Sequence, residues 1–291
     1  MMGKVWLDGE LLNSDQAKIS VFDHGLLYGD GCFEGIRVYN GRVFKLASHL
    51  ERITQSAARI RLTPPYTTEE IVKAIRDTLA ANEMTDAYIR LVYTRGVGTL
   101  GLHPFRCPSP SAFIITDTIE LYPQELYDNG MEVIVSQRPR VPIACLDPAT
   151  KSLNYLNNIL AKIEAIDANV LEAIMLNTDG YVSECTGDNI FVVKDGRIAT
   201  PPKQAGILHG ITRKFVIDEL APTLEFSLEE KMLRPEEVLA SDEVFLTGTA
   251  AEIIGVSKID GRVIGSGGVG PVTRSLSAEF RKRVSDGAPE D

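Results

Sequence analysis

Lys151 and Tyr155 are two side chains that, by their type and spacing, could take part together in a chemical reaction. They lie in DPATKSLNYLNNILAK (147–162), where a proline turn leads into an apolar pattern of helical period. The pattern predicts a helix over 152–168, with Lys151 at its start and Tyr155 four residues later on the same face. The helix dipole and partial burial would favour the neutral amine, which is the form that bonds to an aldehyde. Spacing alone favours the alternative, a solvated lysine beside a packed tyrosine.

Three more segments carry polar groups that a ligand could use. Glu184 lies in YVSECTGDNIFVV (181–193), where an acidic loop joins an apolar strand. LHGITR (208–213) and LTGTAAE (246–252) are glycine turns whose amides and threonine hydroxyls could bind an anion. Each glycine segment by itself is best explained as an ordinary turn without a ligand. The two turns together with a lysine and an acidic residue are a more specific combination.

The elements that must position these residues are mixed strands and helices. YNGR (39–42) predicts a hairpin with a type I′ turn, and TTEE (67–70) predicts a capping box with Thr67 as N-cap. Strands and helices alternate without strict βαβ regularity, which indicates two domains of α/β or α+β type. The predicted division is a smaller N-terminal α/β domain (1–117), a linker (118–130) and a larger cofactor-binding domain (131–291).

Composition excludes several classes of function. The 291 residues carry a net charge of −10 without a basic block, which argues against nucleic-acid binding. We expect a cytoplasmic protein, because the sequence shows neither a membrane-spanning apolar run nor a signal-peptide pattern. The histidines lack metal-ligand spacing, so we expect no metal site, and the scattered cysteines indicate reduced thiols. The cysteines are Cys32, Cys107, Cys145 and Cys185.

Seven motifs together resemble the class IV pyridoxal-phosphate aminotransferases, most closely the branched-chain amino-acid aminotransferases. They are HGLLYGDGCFEGIRVY (24–39), HLERI (49–53), YIRLVYTRG (88–96), KSLNYLNN (151–158), ECTGDNIF (184–191), GITR (210–213) and GTAAEI (248–253). They follow the family's order over nearly the whole chain. The resemblance implies a mixed α/β, two-domain fold-type IV enzyme with pyridoxal 5′-phosphate at the domain interface.

The resemblance also implies a role for each matching residue. Lys151 matches the catalytic lysine that bonds to the cofactor, and Tyr155 matches the tyrosine at the ring oxygen. Glu184 matches the carboxylate that faces the pyridine nitrogen, and Arg52 matches the arginine that binds the phosphate. Without the resemblance, Arg52 would be interpreted as a solvated residue off the apolar face of its helix. The other phosphate donors implied are Ile211, Thr212 and Thr249.

Positions that match the family's substrate pocket form a second set. They are Tyr28, Phe33, Arg37, Tyr88, Arg90, Thr249 and Ala250. Their largely apolar walls suit Leu, Ile and Val side chains, although Phe33 and Tyr88 alone would be taken as core residues. The resemblance implies ping-pong transfer of the amino group to 2-oxoglutarate. It also implies a homodimer or an assembly of dimers, in which we expect 100–105 to complete the neighbour's site.

Several alternatives stay open at the level of sequence. One is a lyase of the same fold that converts aminodeoxychorismate to aminobenzoate and pyruvate, and another is a D-amino-acid or amine transaminase. A non-enzymatic pyridoxal-phosphate-binding protein is a third. His103 stands where relatives often carry an acidic residue, and Leu91 follows Arg90 where many have proline. Both departures lie near the residues that select the second substrate.

Overall fold

The computed structural model describes residues 3–119 and 122–286, and it separates into two compact units. The described parts of the first unit are 3–119, 150–154 and 284–286, and those of the second are 122–149 and 155–283. Lys151 is therefore grouped with the first unit. The domain boundaries expected from the sequence stay a prediction, and residues 120 and 121 of the expected linker lie outside the described residues.

One sheet organises the first unit. Its described strands are β1 (Lys4–Leu7), β2 (Glu10–Asn13), β3 (Gly31–Tyr39), β4 (Arg42–Val43), β5 (Ala87–Thr94) and β6 (Ser111–Asp117). They lie in the order β2-β1-β6-β5-β3-β4 and pair antiparallel. The helices are α1 (His24–Tyr28), α2 (Leu46–Arg59) and α3 (Thr68–Ala81), and Pro104–Arg106 forms a 3₁₀ turn. The apolar core of this unit includes Ile36, Ile53, Ile75, Ile89 and Leu91, all fully buried.

Two local predictions in this unit are confirmed. Asn40 and Gly41 have φ angles of 50° and 78°, and a positive φ at both central residues is what a type I′ turn requires. Thr67 caps α3, because Glu70 N donates to Thr67 Oγ1 (3.2 Å) and Thr67 N donates to Glu70 Oε2 (2.8 Å).

A mixed sheet organises the second unit. Its described strands are β7 (Met131–Val135), β8 (Glu172–Leu176), β9 (Val182–Cys185), β10 (Asn189–Lys194), β11 (Arg197–Thr200), β12 (Leu228–Glu230), β13 (Glu243–Gly248), β14 (Glu252–Ile259) and β15 (Arg262–Val263). They lie in the order β12-β11-β10-β13-β14-β7-β8-β9, with β15 on β14. Strand β7 pairs parallel with β8 and with β14, whereas β10 and β13 pair antiparallel. The expected mixture of α and β structure is confirmed.

The helices of the second unit are short except for two. Those described are α4 (Gln124–Asn129), α5 (Leu156–Asp167), α6 (Ile211–Phe215), α7 (Ala221–Thr223), α8 (Pro235–Leu239) and α9 (Pro271–Ser285), whose last two residues are grouped with the first unit. A π-helical turn at Val216–Leu220 joins α6 to α7, and Lys203–Ala205 forms a 3₁₀ turn. None of the helices in 3–119 and 122–286 is long and apolar enough to span a bilayer.

The predicted helix around Lys151 begins later than expected. Helix α5 starts at Leu156, so a helix start near Ser152 is wrong. Residues 151–153 lie along the beginning of β3: Phe33 N donates to Lys151 O (3.0 Å), and Leu153 N donates to Gly31 O (2.9 Å). These non-local bonds override the local helical pattern. The dipole argument for a neutral amine and the shared helical face with Tyr155 are therefore both wrong.

Candidate active site

The backbone of Lys151 is fixed on two sides within the first unit. Its amide donates to Ser56 Oγ on α2 (3.1 Å), and its carbonyl accepts from Phe33 N on β3 (3.0 Å). The side-chain Nζ lies 4.6 Å from the centroid of the Phe33 ring, within the range of a cation–π interaction. Strand and helix therefore hold the candidate catalytic amine against an aromatic face.

One face of the first sheet carries most of the expected substrate residues. Side chains alternate along a strand, and the register pairs Arg37 with Tyr88 and Gly35 with Arg90. Phe33 is on the same face, and the Arg90 guanidinium lies 4.5 Å from its ring centroid. Arg90 Nη2 donates to the Tyr88 hydroxyl (3.2 Å), which occupies the space where a Cβ at position 35 would stand. The structure thus brings four of the expected substrate residues together.

Tyr28 lies at the end of α1. Its side chain is exposed, and its hydroxyl accepts a hydrogen bond from Gly101 N (2.9 Å). The neighbouring His24 ring bonds through Nε2 to the carbonyl of Thr99 (2.8 Å). Tyr28 is therefore held to the loop at 96–105.

Arg52 lies in a buried ionic cluster, so the interpretation of this arginine as a solvated residue is wrong. Its Nε donates to Glu34 Oε1 and its Nη2 donates to Glu34 Oε2, both at 2.7 Å. The ring of His49 bonds to Glu34 Oε2 through Nδ1, also at 2.7 Å. Neither Glu34 nor His49 was among the site residues predicted from the sequence. A signal was present, because Glu34 alternates in phase with the buried Cys32 and Ile36 of β3.

In the second unit, Glu184 is the centre of a buried polar network. Its Oε1 accepts from Arg140 Nε (2.9 Å), and its Oε2 accepts from Leu208 N (2.9 Å) and Asn189 Nδ2 (3.1 Å). Arg140 Nη1 also donates to Asn158 Oδ1 (3.0 Å), so this guanidinium is fixed from both ends. Such a network holds the carboxylate in one orientation. Neither Arg140 nor Asn189 was predicted as a site residue, although Asn189 lies five residues after Glu184 in the motif ECTGDNIF, whereas Arg140 is 44 residues from Glu184.

The two glycine turns of the second unit pack against the consecutive residues Asp188 and Asn189. Asn189 Oδ1 fills the position that a Cβ at Gly210 would take, and Asp188 Oδ1 does the same at Gly248. Burial, reinforced by Glu172, raises the pKa of Asp188 to about 7. The turns that contain the expected anion donors are therefore packed against the start of β10. Ile211 and Thr212 are buried on α6, whereas Thr249 and Ala250 are half-buried between β13 and β14.

The comparison with protein families decides the class of this chain. The model of the family described as amino-transferase class IV matches residues 31–259. The chain belongs to the class IV aminotransferases. The predictions of this family, of the fold class and of an aminotransferase activity are confirmed.

Relatives of this class IV aminotransferase match it over almost its full length. A Methanocaldococcus jannaschii protein, provisionally named a branched-chain-amino-acid aminotransferase, is 48% identical over 278 residues, 96% of this chain and 95% of the relative. The crystal structure of the Escherichia coli branched-chain amino acid aminotransferase has a TM-score of 0.96 at 34% identity, covering 100% of this chain and 97% of that one. The Thermoproteus uzoniensis branched-chain aminotransferase with norvaline has a TM-score of 0.91 at 40% identity, covering 99% and 96%.

The residues of this class IV aminotransferase fit the expected cofactor. Solved relatives contain pyridoxal phosphate or pyridoxamine 5′-phosphate, and the cofactor prediction is confirmed. Each unit by itself offers groups whose chemistry suits this cofactor: the first has an amine and a guanidinium, and the second has a fixed carboxylate and threonine hydroxyls. In the second unit, Thr247 Oγ1 is buried and receives no hydrogen bond from the described residues. Such a group needs a partner, which a bound ligand can supply.

Proposed function

We propose that this protein transfers the amino group of the branched-chain L-amino acids Leu, Ile and Val to 2-oxoglutarate. In this proposal pyridoxal 5′-phosphate is held by Lys151, Tyr155 and Glu184. Its phosphate is bound by the remaining cofactor residues, which are Arg52, Ile211, Thr212 and Thr249. The names of the relatives support the branched-chain substrate class.

The observation that carries the proposal is the environment of the Lys151 amine. Its Nζ lies on the ring of Phe33, and that ring shares a sheet face with Arg37, Tyr88 and Arg90. An apolar ring beside the reacting amine suits a branched aliphatic side chain. The arginines supply the positive charge that a carboxylate of either substrate needs. We propose that Thr249 and Ala250 bind the α-carboxylate through their amides.

When bound, pyridoxal phosphate supplies a protonated ring that withdraws electrons from the reacting carbon. Lys151 Nζ takes the proton from the amino acid Cα as a general base and returns a proton as a general acid. Glu184 would keep the ring nitrogen protonated, and Arg140 and Asn189 fix the direction of its carboxylate. The donor leaves as a 2-oxo acid before the acceptor binds, so the kinetics are ping-pong.

The role of Lys151 is tested by chemical trapping. Borohydride reduction of the purified holoenzyme should attach the cofactor permanently to Lys151, as located by peptide mass mapping. Lys151→Ala should lose multiple-turnover transamination, because no other base is expected to move the proton. Lys194→Ala, which removes an exposed lysine paired with Asp242, is the matched control and should keep normal turnover. Normal turnover by Lys151→Ala would refute the mechanism.

The substrate assignment is tested by a screen of amino donors against several 2-oxo acids. L-Leu, L-Ile and L-Val should be the best donors, ahead of L-Glu and D-Ala, and 2-oxoglutarate should be the best acceptor. Double-reciprocal plots at several acceptor concentrations should be parallel, as a ping-pong reaction requires. Release of pyruvate from aminodeoxychorismate without an amino acceptor would instead identify a lyase, and a preference for D-Ala would identify a D-amino-acid transaminase.

We further propose a cytoplasmic homodimer or an assembly of dimers. The segment at 100–105 supports this proposal, because the side chains of Leu100 and Leu102 are 71% and 81% exposed. Leu26 of α1 is also exposed, and apolar groups of this size favour burial against another protein surface. Light scattering should give at least twice the chain mass of 31.9 kDa. Leu102→Glu should shift the protein toward the monomer, and an unchanged mass would contradict this use of the segment.

A further inference from the structure

Glu34, His49 and Arg52 form a cluster in which one carboxylate is held by three donor atoms. Arg52 uses Nε and Nη2 in a bidentate pair with Glu34, and His49 Nδ1 bonds to the same Oε2 that accepts from Nη2. Each of these contacts is 2.7 Å long, and the side chains of Glu34 and His49 are fully buried. A bidentate pair fixes the plane of a guanidinium as well as its position. The cluster therefore leaves Arg52 little freedom to turn.

The charge states of the cluster follow from its surroundings. Burial alone would raise the pKa of the Glu34 carboxyl, but Arg52 and His49 lower it to about 2. Burial is the main reason that the pKa of His49 is lowered, and the nearby Arg52 and Lys151 act in the same direction against Glu34. His49 is consequently neutral at pH 7, and it donates through Nδ1 because an ionised carboxylate only accepts. The His49 ring thus adds a hydrogen bond without adding charge.

The direction in which the Arg52 guanidinium points is determined by which of its N–H groups bind the Glu34 carboxylate. A guanidinium carries five N–H groups in a rigid plane. Glu34 engages the edge formed by Nε and Nη2. The groups on Nη1 and the second hydrogen of Nη2 point away from that edge. A shift of the carboxylate therefore moves these groups by a similar distance.

We propose that Glu34 and His49 are positioning residues that direct the Arg52 guanidinium toward the phosphate of the cofactor. This inference rests on the proposed function, in which Arg52 binds that phosphate. Glu34 sets the plane and depth of the guanidinium, and His49 prevents the carboxylate from rotating. Neither residue touches the cofactor.

The test compares two ligands that differ only in the phosphate. Binding of pyridoxal 5′-phosphate and of pyridoxal to the full-length, cofactor-freed chain is measured by absorbance, and the ratio of the two dissociation constants reports the phosphate contribution. Glu34→Asp keeps the negative charge but withdraws it by one methylene. It should weaken pyridoxal 5′-phosphate binding about tenfold or more, as loss of a charge-assisted bidentate contact would, and leave pyridoxal binding nearly unchanged.

A pair of substitutions at His49 separates hydrogen bonding from packing. His49→Ala removes the donor to Glu34 and should lower the phosphate contribution. His49→Asn keeps an N–H group near the position of Nδ1 and should restore most of it. The matched control is Asp30→Glu, which moves the carboxylate of a different, partly buried pair in the first unit, that of Asp30 and Arg95 (2.9 Å). This variant should leave the ratio of the dissociation constants unchanged.

The outcomes distinguish the two levels of the proposal. If the single substitution Arg52→Ala does not reduce the contribution of the phosphate to binding, the role of Arg52 in the proposed function is wrong. If Arg52→Ala reduces it but Glu34→Asp and His49→Ala do not, only the positioning role is wrong. Equal losses in His49→Ala and His49→Asn would mean that the ring acts through packing, and they too would overturn the inference for His49.

Discussion

Replacement of Arg140 by methionine is expected to destabilise the protein strongly, because it leaves a buried carboxylate without its cation. Arg140 and Glu184 are both almost fully buried, and the Nε–Oε1 distance is 2.9 Å. The substitution also removes the hydrogen bond from Nη1 to Asn158. Breaking a buried pair by removing one partner costs about 3–5 kcal/mol. We therefore expect the free energy of unfolding to fall by about 4 kcal/mol.

The assay is urea unfolding of cofactor-freed protein, because a ligand that binds only the folded state adds its own stabilisation. Arg138 provides a matched control two residues away. It pairs with Glu164 at 3.1 Å, but its side chain is 51% exposed, so Arg138→Met should lose less than about 1 kcal/mol. The two variants remove the same side chain from pairs that differ mainly in burial.

A second substitution tests the cause of the loss. Glu184→Gln keeps the shape of the side chain but removes its charge. The double variant with Arg140→Met should therefore be more stable than Arg140→Met alone, by roughly 1–3 kcal/mol. The reasoning is refuted if Arg140→Met unfolds no more readily than Arg138→Met. It is also refuted if Glu184→Gln leaves the Arg140→Met defect unchanged.

Two further predictions concern pH and a helix end. The raised pKa of Asp188 means that the folded state binds this proton more tightly than the unfolded state, so stability is lost as pH rises from about 4 to about 7. The wild type should therefore lose stability relative to Asp188→Asn between pH 5 and pH 8, and a constant difference in unfolding free energy between the two proteins would contradict the raised pKa. Thr67→Ala should destabilise the protein by about 1 kcal/mol through loss of the cap of α3. Thr68→Ala, at the next exposed position, should lower the free energy of unfolding by less than half as much. Equal losses in the two variants would show that capping by Thr67 does not stabilise α3.

Local features of the fold could be predicted from the sequence where short-range physics determines them. Asn40-Gly41 requires a turn with positive φ angles, and Thr67 with Glu70 satisfies the amides of a helix end without help from distant residues. The start of α5 could not be predicted in this way. Backbone bonds from Gly31 and Phe33 compete for the residues around Lys151, and those bonds span more than a hundred positions of the chain.

In the candidate site, too, some residues could be predicted from the sequence, whereas others depend on contacts between distant parts of the chain. Lys151 and Glu184 could be recognised because their segments match family motifs. Arg140 could not, because its partner Glu184 is 44 residues away and only the folded chain brings them together. Glu34 lies between these cases: an acidic residue in phase with the core side chains of β3 indicates a buried partner of opposite charge, but it does not identify Arg52.

The grouping of 150–154 with the first unit affects how the protein is made. On the ribosome, residues 3–119 emerge before the segment with the reactive lysine, and at about 5–20 residues per second that segment follows roughly 2–6 seconds later. Ser56, which receives the hydrogen bond from Lys151 N, must meet a residue 95 positions further along. A nascent chain that stops before residue 150 contains every described strand of the first sheet, but it lacks the lysine that we propose captures the cofactor aldehyde. If Lys151 has this role, the strands of that sheet are all synthesised before covalent attachment of the cofactor becomes possible.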